Sequence, residues 1–246
     1  MQTRNKRLAN YCIMISAAAL SLFTFSSCEK VVGEGPVVTE TRDEPPFEGL
    51  ALSVPADAYF TPSATYSIVL EAQQNILDEI ETVVSDNILK IRFRHPNVNI
   101  RNSERIKVHV SGPQARVLEV HGDGKLEVNG TIEPSTVRFL VSGSGSIDAD
   151  QVLANSIESV ISGSGRLEIN AGTANEAEIN ISGSGFVDMS EVMVKDVDTR
   201  ISGSGNLKVF STHTLKAKIS GSGTVFYRGN PTISSQISGT GSVVKL

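Results

Sequence analysis

The sequence predicts an all-β chain whose body is a right-handed parallel β-helix, a solenoid with rungs of about 18–21 residues. Three observations predict it: a glycine motif at a fixed step, apolar residues at every second position around that motif, and an energy balance that forbids a lone unit. An apolar residue followed by Ser-Gly-Ser-Gly occurs at Val141–Gly145, Ile161–Gly165, Ile181–Gly185, Ile201–Gly205 and Ile219–Gly223. Ile237–Gly241 repeats it with Thr240 for the second serine, and Val120–Gly124 is a worn copy with His121 for the first. From Ser142 onward the first serines are 20, 20, 20, 18 and 18 residues apart, and 21 residues separate His121 from Ser142.

Aligned on their glycines, the units show which side chains point inward. Leu126, Ile147, Leu167, Val187, Leu207, Val225 and Val243 form one column, and Val128, Ala149, Ile169, Met189, Val209 and Tyr227 form another. Before the motif stand Val141, Ile161, Ile181, Ile201, Ile219 and Ile237. Four residues earlier stand Val137, Ile157, Ala177, Val197, Leu215 and Ile233. Alternation with period two is strand periodicity, so a strand is expected on either side of each glycine corner. The change from 20 to 18 falls in Gln151–Ser156 and its equivalents, which read as a surface loop. Each unit buries roughly four or five apolar side chains, about 10 kcal/mol gross at ~2 kcal/mol each. Ordering its ~20 residues costs about 20–40 kcal/mol. A single unit therefore cannot fold, and stacking must seal its open faces. A propeller is disfavoured, since its blades need roughly 40 residues.

Taken in chain order, residues 1–27 read as a secretion signal. Arg4, Lys6 and Arg7 precede the apolar run Cys12 to Phe25, too short to cross a ~30 Å hydrocarbon layer as a helix. Cys28, after Ser26 and Ser27, resembles the acceptor cysteine of a bacterial lipoprotein, which makes it the expected lipidation site. No second cysteine remains in the mature chain for a disulfide. Residues 28–46 are acidic and rich in glycine and proline, and are expected to form a flexible tether. Residues 47–246 then form one solenoid domain, with 47–120 as irregular first rungs or a cap and 121–246 as regular repeats. Alternation at Leu50–Val54, Ser67–Ala72, Ile88–Phe93 and Ile106–Val110 marks strands, and one helical turn falls between Asn75 and Val84.

The Ser-Gly-Ser-Gly pieces do not read as phosphate loops. Such loops lead into a helix, and P-loops add a lysine, whereas here strands follow the glycines. They also lack the aspartate of glycine-rich calcium repeats. Glycine for a tight corner and serine for hydrogen bonding along the stack are the structural reading. The four histidines, His95, His109, His121 and His213, have no metal-ligand spacing, so no metal or other cofactor is expected. A net charge of −5 without a basic stripe argues against nucleic acid as partner. The candidate ligand face is the outward column Glu127, Asp148, Glu168 and Asp188, which ends in Lys208. Its carboxylates, ~4.8 Å apart on successive rungs, repel by only ~1 kcal/mol in water and need no cation. Phe186, Phe210 and Phe226 also alternate outward, to stack on sugars or to pack under loops.

The same segments resemble the bacterial auto-transporter adhesin family with the head GIN domain. The resemblance rests on Ile219–Pro231, on the closing Ile237–Val243, on Val37–Arg42 with Phe47–Leu52, and on Ser67–Ala72 and Ile88–Phe93. It implies adhesion and brings no catalytic residues with it. An auto-transporter needs a C-terminal membrane barrel; the repeats run to Leu246, so self-translocation is not expected. The expected function is therefore a non-catalytic adhesin, held to the outer membrane by its lipid, that binds a glycan or a protein. The alternatives are a carbohydrate-active β-helix enzyme using the acidic column, and a structural or signalling envelope lipoprotein. Neither the leaflet face nor the oligomeric state is encoded in these features.

Overall fold

The computed structural model describes residues 29–95, 98–101 and 104–246; residues 1–28, with the signal and Cys28, lie outside the described residues. The chain is almost entirely strand and winds into a β-solenoid. The expected columns coincide with the strand register. Leu126 pairs with Ile147, Ile147 with Leu167, Leu167 with Val187, Val187 with Leu207, and Leu207 with Val225, all in parallel. All six are fully buried. The column before the corner is equally continuous, from Leu52 through Val120 and Val141 to Ile237.

Each rung has three sides. The first precedes the glycine corner (Thr136–Gly143, Ser156–Gly163 and their equivalents) and the second follows it (Lys125–Ile132, Ser146–Leu153, Arg166–Ile169). The third is the segment expected to be a surface loop, and it is a paired wall instead. Val152 and Leu153 pair with Gly172 and Thr173, which pair with Val192 and Met193. Val152, Ala174, Val192 and Val194 face the core from it. Strands Phe186–Gly203 and Asn206–Gly221 therefore run unbroken from the second side through the third to the next first side. The shortening from 20 to 18 is absorbed there as register shifts between Met189 and Met193 and between Val194 and Asp196.

The corners close through backbone. Gly163, Gly183 and Gly203 have φ of 112°, 113° and 120°, open to glycine and strained for other residues. The next serine donates its N–H to the glycine carbonyl one rung back: Ser164 to Gly143 at 2.9 Å, Ser184 to Gly163 at 2.8 Å, Ser204 to Gly183 at 2.9 Å. The serine hydroxyls, expected to bond along the stack, are exposed; at the corners, among the described residues, only Thr240 donates to a neighbour, Ser222, at 3.0 Å.

The N-terminal part combines rungs and cap, in an order that chain position does not give. Gly49–Ser53 and Ala56–Pro62 form a rung between two later ones. They pair with Ile88–Phe93 and Ile106–Gly112 on one side and with Val117–Gly122 and Lys125–Ile132 on the other. Antiparallel strands Ser67–Gln73 and Ile80–Ser85, joined by the helical turn Gln74–Leu77, cover that end. Part of the expected tether is built into this cap. Val37–Thr41 pairs antiparallel with Ser67–Gln73, and Glu29–Val32 pairs with Val98–Arg101. Its alternating half-buried residues gain a hydrogen-bonding edge that composition does not reveal. Among the described residues the opposite end has no such cover: Ile233 and Ile237, core residues by register, are 40% and 44% exposed.

Candidate functional site

The expected acidic column exists as a continuous outward row on the second side. It runs from His109 and Tyr59 through Glu127, Asp148, Glu168 and Asp188 to Lys208 and Phe226. Three of its four carboxylates are engaged by neighbours. Lys125 binds Glu127, Asn170 donates to Asp148 at 2.8 Å, and Asp188 accepts from Ser190 at 2.6 Å and Lys208 at 3.0 Å. Partial burial pushes the Asp188 carboxyl up, but the Ser190 and Lys208 hydrogen bonds outweigh it and hold the pKa below the ordinary value. Lys125 is raised, chiefly by its bond to Glu127. The aromatic residues are likewise engaged. The Phe186 ring lies between the Arg166 guanidinium at 5.0 Å and the Lys208 ammonium at 5.4 Å, and Arg228 covers Phe210 at 5.6 Å. Tyr59 and His109 stack on each other at 5.1 Å. Side chains already paired this way form a well-hydrated wall with few idle polar groups.

The first side carries a different surface, which the sequence reading missed by applying alternation outward only after the corner. Two furrows run along it, parallel to the stack. The polar one, about 500 Å³, is lined by Glu176, Glu178, Asp196, Asp198, Thr214 and Lys216 among others. Asp196 accepts from the Thr214 hydroxyl and lies against His213, both at 2.6 Å; these two contacts, Thr214 foremost, hold its pKa below the ordinary value. Arg200 donates to Glu178 at 2.8 Å and lies 3.5 Å from Asp198. Among the described residues no group of three or more His, Cys, Asp or Glu is placed to hold a metal ion.

The second furrow, about 680 Å³, lies four residues closer to the corner. It runs over the backbone of the column Ile161, Ile181, Ile201, Ile219 and Ile237, whose side chains, Ile237 at the open end apart, are buried in the core. One wall is the exposed serine row Ser162, Ser182, Ser202, Ser220 and Ser238; the other is Val160, Asn180, Arg200, Lys218 and Gln236. The sequence signal for it was available: the residue before each position of that column changes from Leu140 and Val160 to Arg200 and Lys218 along the stack.

The fold is thus a three-sided parallel β-solenoid with two furrows along its first outer side and a row of charged side chains along its second. The chain belongs to the family described as "Putative auto-transporter adhesin, head GIN domain", whose model matches residues 46–231. Its fold is shared by a solved structure described as a "putative adhesin" from Bacteroides fragilis, with TM-score 0.82 at 20% identity over 88% of this chain and 100% of that one. A "putative lipid binding protein" from Parabacteroides distasonis aligns with TM-score 0.72 at 23% identity, over 89% and 100% of the chains. A "putative adhesin" from the same organism aligns with TM-score 0.73 at 21% identity, also over 89% and 100%. The comparison with curated proteins found no match.

Proposed function

We propose that this protein is a non-catalytic adhesion module of the bacterial envelope, tethered through a lipid on Cys28 and binding its partner through the outer face of the solenoid's first side. The observation that carries this reading is the contrast between sides. On the second side Glu127, Asp148 and Asp188 are each engaged by a neighbouring side chain, whereas the first side keeps an open furrow across five rungs. Family membership supports adhesion as the use of such a face. The in-register backbone ladder makes the face stiff, so little conformational entropy is lost when it binds. A carbohydrate-active enzyme using Asp148 and Glu168 draws no comparable support, because Asp148 is held by Asn170 within a solvated, hydrogen-bonded row.

Two measurements test the reading. Proteolytic shaving of intact cells should release the domain, and a Cys28→Ala variant should leave the membrane fraction for the soluble one. Purified protein should bind host or bacterial cell surfaces in a manner abolished by bulky substitutions on the first side and insensitive to Asp148→Asn with Glu168→Gln. Loss of binding in the acidic pair, with retention in the first-side variants, would reverse the assignment of faces.

A further inference from the structure

The uncovered end of the stack is built to meet something. Strand Thr232–Gly239 pairs with the preceding rung on one edge only among the described residues, and so does Ser242–Lys245. All eight residues of Thr232–Gly239 are exposed, although Ile233, Ser235 and Ile237 continue the inward columns of the buried Leu215, Ala217 and Ile219. Of the eight large hydrophobic residues exposed among the described residues, four lie here: Ile233, Ile237, Val244 and Leu246. Apolar exposure concentrated at one end marks an interaction surface.

The charge pattern singles out one of the two edges. Edge strands are normally guarded by charged side chains, which discourage pairing with another chain. On the first side the outward column Arg138, Glu158, Glu178, Asp198 and Lys216 is charged at every rung and ends in Ser234. The next column carries Arg200 and Lys218 and ends in Gln236. The terminal first-side strand therefore holds no charge at all. The second-side edge is short, and Lys245 continues the column of Val209 and Tyr227, its ammonium donating to Asn230 at 2.7 Å. That edge keeps its guard, and the first-side edge has none.

The sequence of the unguarded strand fits a second copy of itself. Laid antiparallel about Ser235, Ile233 falls opposite Ile237 and Ile237 opposite Ile233, with both rows facing the core. Outside, Ser234 falls opposite Gln236, so no like charges meet. The same operation on the preceding strand would set Lys216 opposite Lys218 twice, which is unfavourable. A parallel addition would need an open edge at the other end of the solenoid, and Ser67–Gln73 and Ile80–Ser85 cover that end. Only like ends can meet, so the contact is isologous and closes at two copies.

We infer that two copies of this chain join end to end through Thr232–Gly239, the strands antiparallel about a two-fold axis at Ser235. The two first sides then form one continuous sheet that carries both copies of each furrow. The inference goes beyond the adhesion reading and does not depend on it.

The test is sedimentation of the purified Cys28→Ala protein from low to high micromolar concentration, because that variant cannot associate through a lipid or a disulfide at residue 28. A reversible monomer–dimer equilibrium without larger species is expected. Ser234→Lys with Gln236→Lys sets two pairs of like charges face to face and should raise the dimer dissociation constant at least about tenfold. Ser234→Lys with Gln236→Glu sets opposite charges at the same positions and should bring it back to within about threefold of the parent. Ser235→Cys should give a disulfide-linked dimer on mild oxidation, since directly opposed antiparallel residues have Cα atoms about 4.5–5.5 Å apart, within disulfide reach. Ser220→Cys, exposed one rung back, should not. Thermal unfolding checks the fold of each variant; if a charge variant unfolds, the cross-link decides. A monomer at every concentration, a dimer indifferent to the charge pattern, or cross-linking no faster at 235 than at 220 would overturn the interface.

Discussion

The two glycines of each corner are held by different neighbours. At Gly183 a Cβ would sit 2.5 Å from the Gly163 carbonyl oxygen, in a backbone conformation of φ 113°. At Gly185 it would meet the Cγ2 methyl of Ile161, the residue before the corner of the rung below. Gly183→Ala must therefore move backbone that is itself hydrogen-bonded, and should cost about 3 kcal/mol in urea denaturation. Ser182→Ala, which removes an exposed hydroxyl beside it, should stay within ~0.5 kcal/mol. Equal costs would mean that the corner is not what fixes the stack. A second residue-scale expectation concerns the column between the two inward ones on the first side: Phe139, Ser159, Ile179, Thr199 and Ala217, all buried. The Ser159 and Thr199 hydroxyls have no hydrogen-bond partner there. Thr199→Val keeps the shape and removes the unpaired oxygen, so it should raise stability by about 1 kcal/mol; a loss of stability would show that the hydroxyl is satisfied in solution.

At the scale of elements, the strands next to the glycines were legible because their residues alternate strictly, Ile-Asp-Ala at 147–149 or Leu-Glu-Ile at 167–169. Burial follows that alternation through 146–149 and 166–169. The third side was hidden because its inward columns are short and interrupted by small residues, Gly172 between Val152 and Val192 and Ala174 before Val194, and because the register shifts at the following rung. The cap was hidden for another reason. Val37–Thr41 reads as polar tether until the edge of Ser67–Gln73 is available to it, and no local pattern announces a partner some 30 residues away. Of the candidate site, the acidic column was legible in position, but the partners of Asp148 and Asp188 were not, since Ser190 and Asn170 reach it from outside the repeat positions. The pairing of Asp188 makes a pH prediction. Asp188 titrates below its ordinary value when folded, so its contribution to stability is present above the unfolded pKa near 3.8 and is lost as pH falls through the lower folded value. Asp188→Asn should flatten the acid limb of stability below about pH 4. An acid limb of unaltered slope would show that Ser190 and Lys208 do not hold the carboxylate in solution.

For the whole molecule, stacking makes each rung exchangeable with its neighbour in geometry but not dispensable in fraction. Residues 176–195 form one complete 20-residue turn. Excising them joins Asn175 to Asp196 and lays the rung beginning at Asp196 directly on the one beginning at Ser156. The interior then continues in register, with Ile157 on Val197, Ile161 on Ile201 and Leu167 on Leu207, because each of these pairs already shares one column through the excised turn. Outside, Lys208 comes to lie beside Glu168 as it now lies beside Asp188, so that charge keeps a partner. The nearest-neighbour logic of repeat proteins then predicts a cooperative fold with its midpoint lowered by less than about 10 °C, from the loss of one interface among several. Excising only residues 186–195 removes the second and third sides of a turn and keeps the first. Gly185 is then joined to Asp196, the first-side strands have no wall to close against, and every later residue meets the wrong column. That variant should show no cooperative melt by circular dichroism and should elute as aggregate. If the half-turn excision melts as sharply as the full-turn one, the sides do not depend on one another, and the folding of this chain is not governed by its rungs.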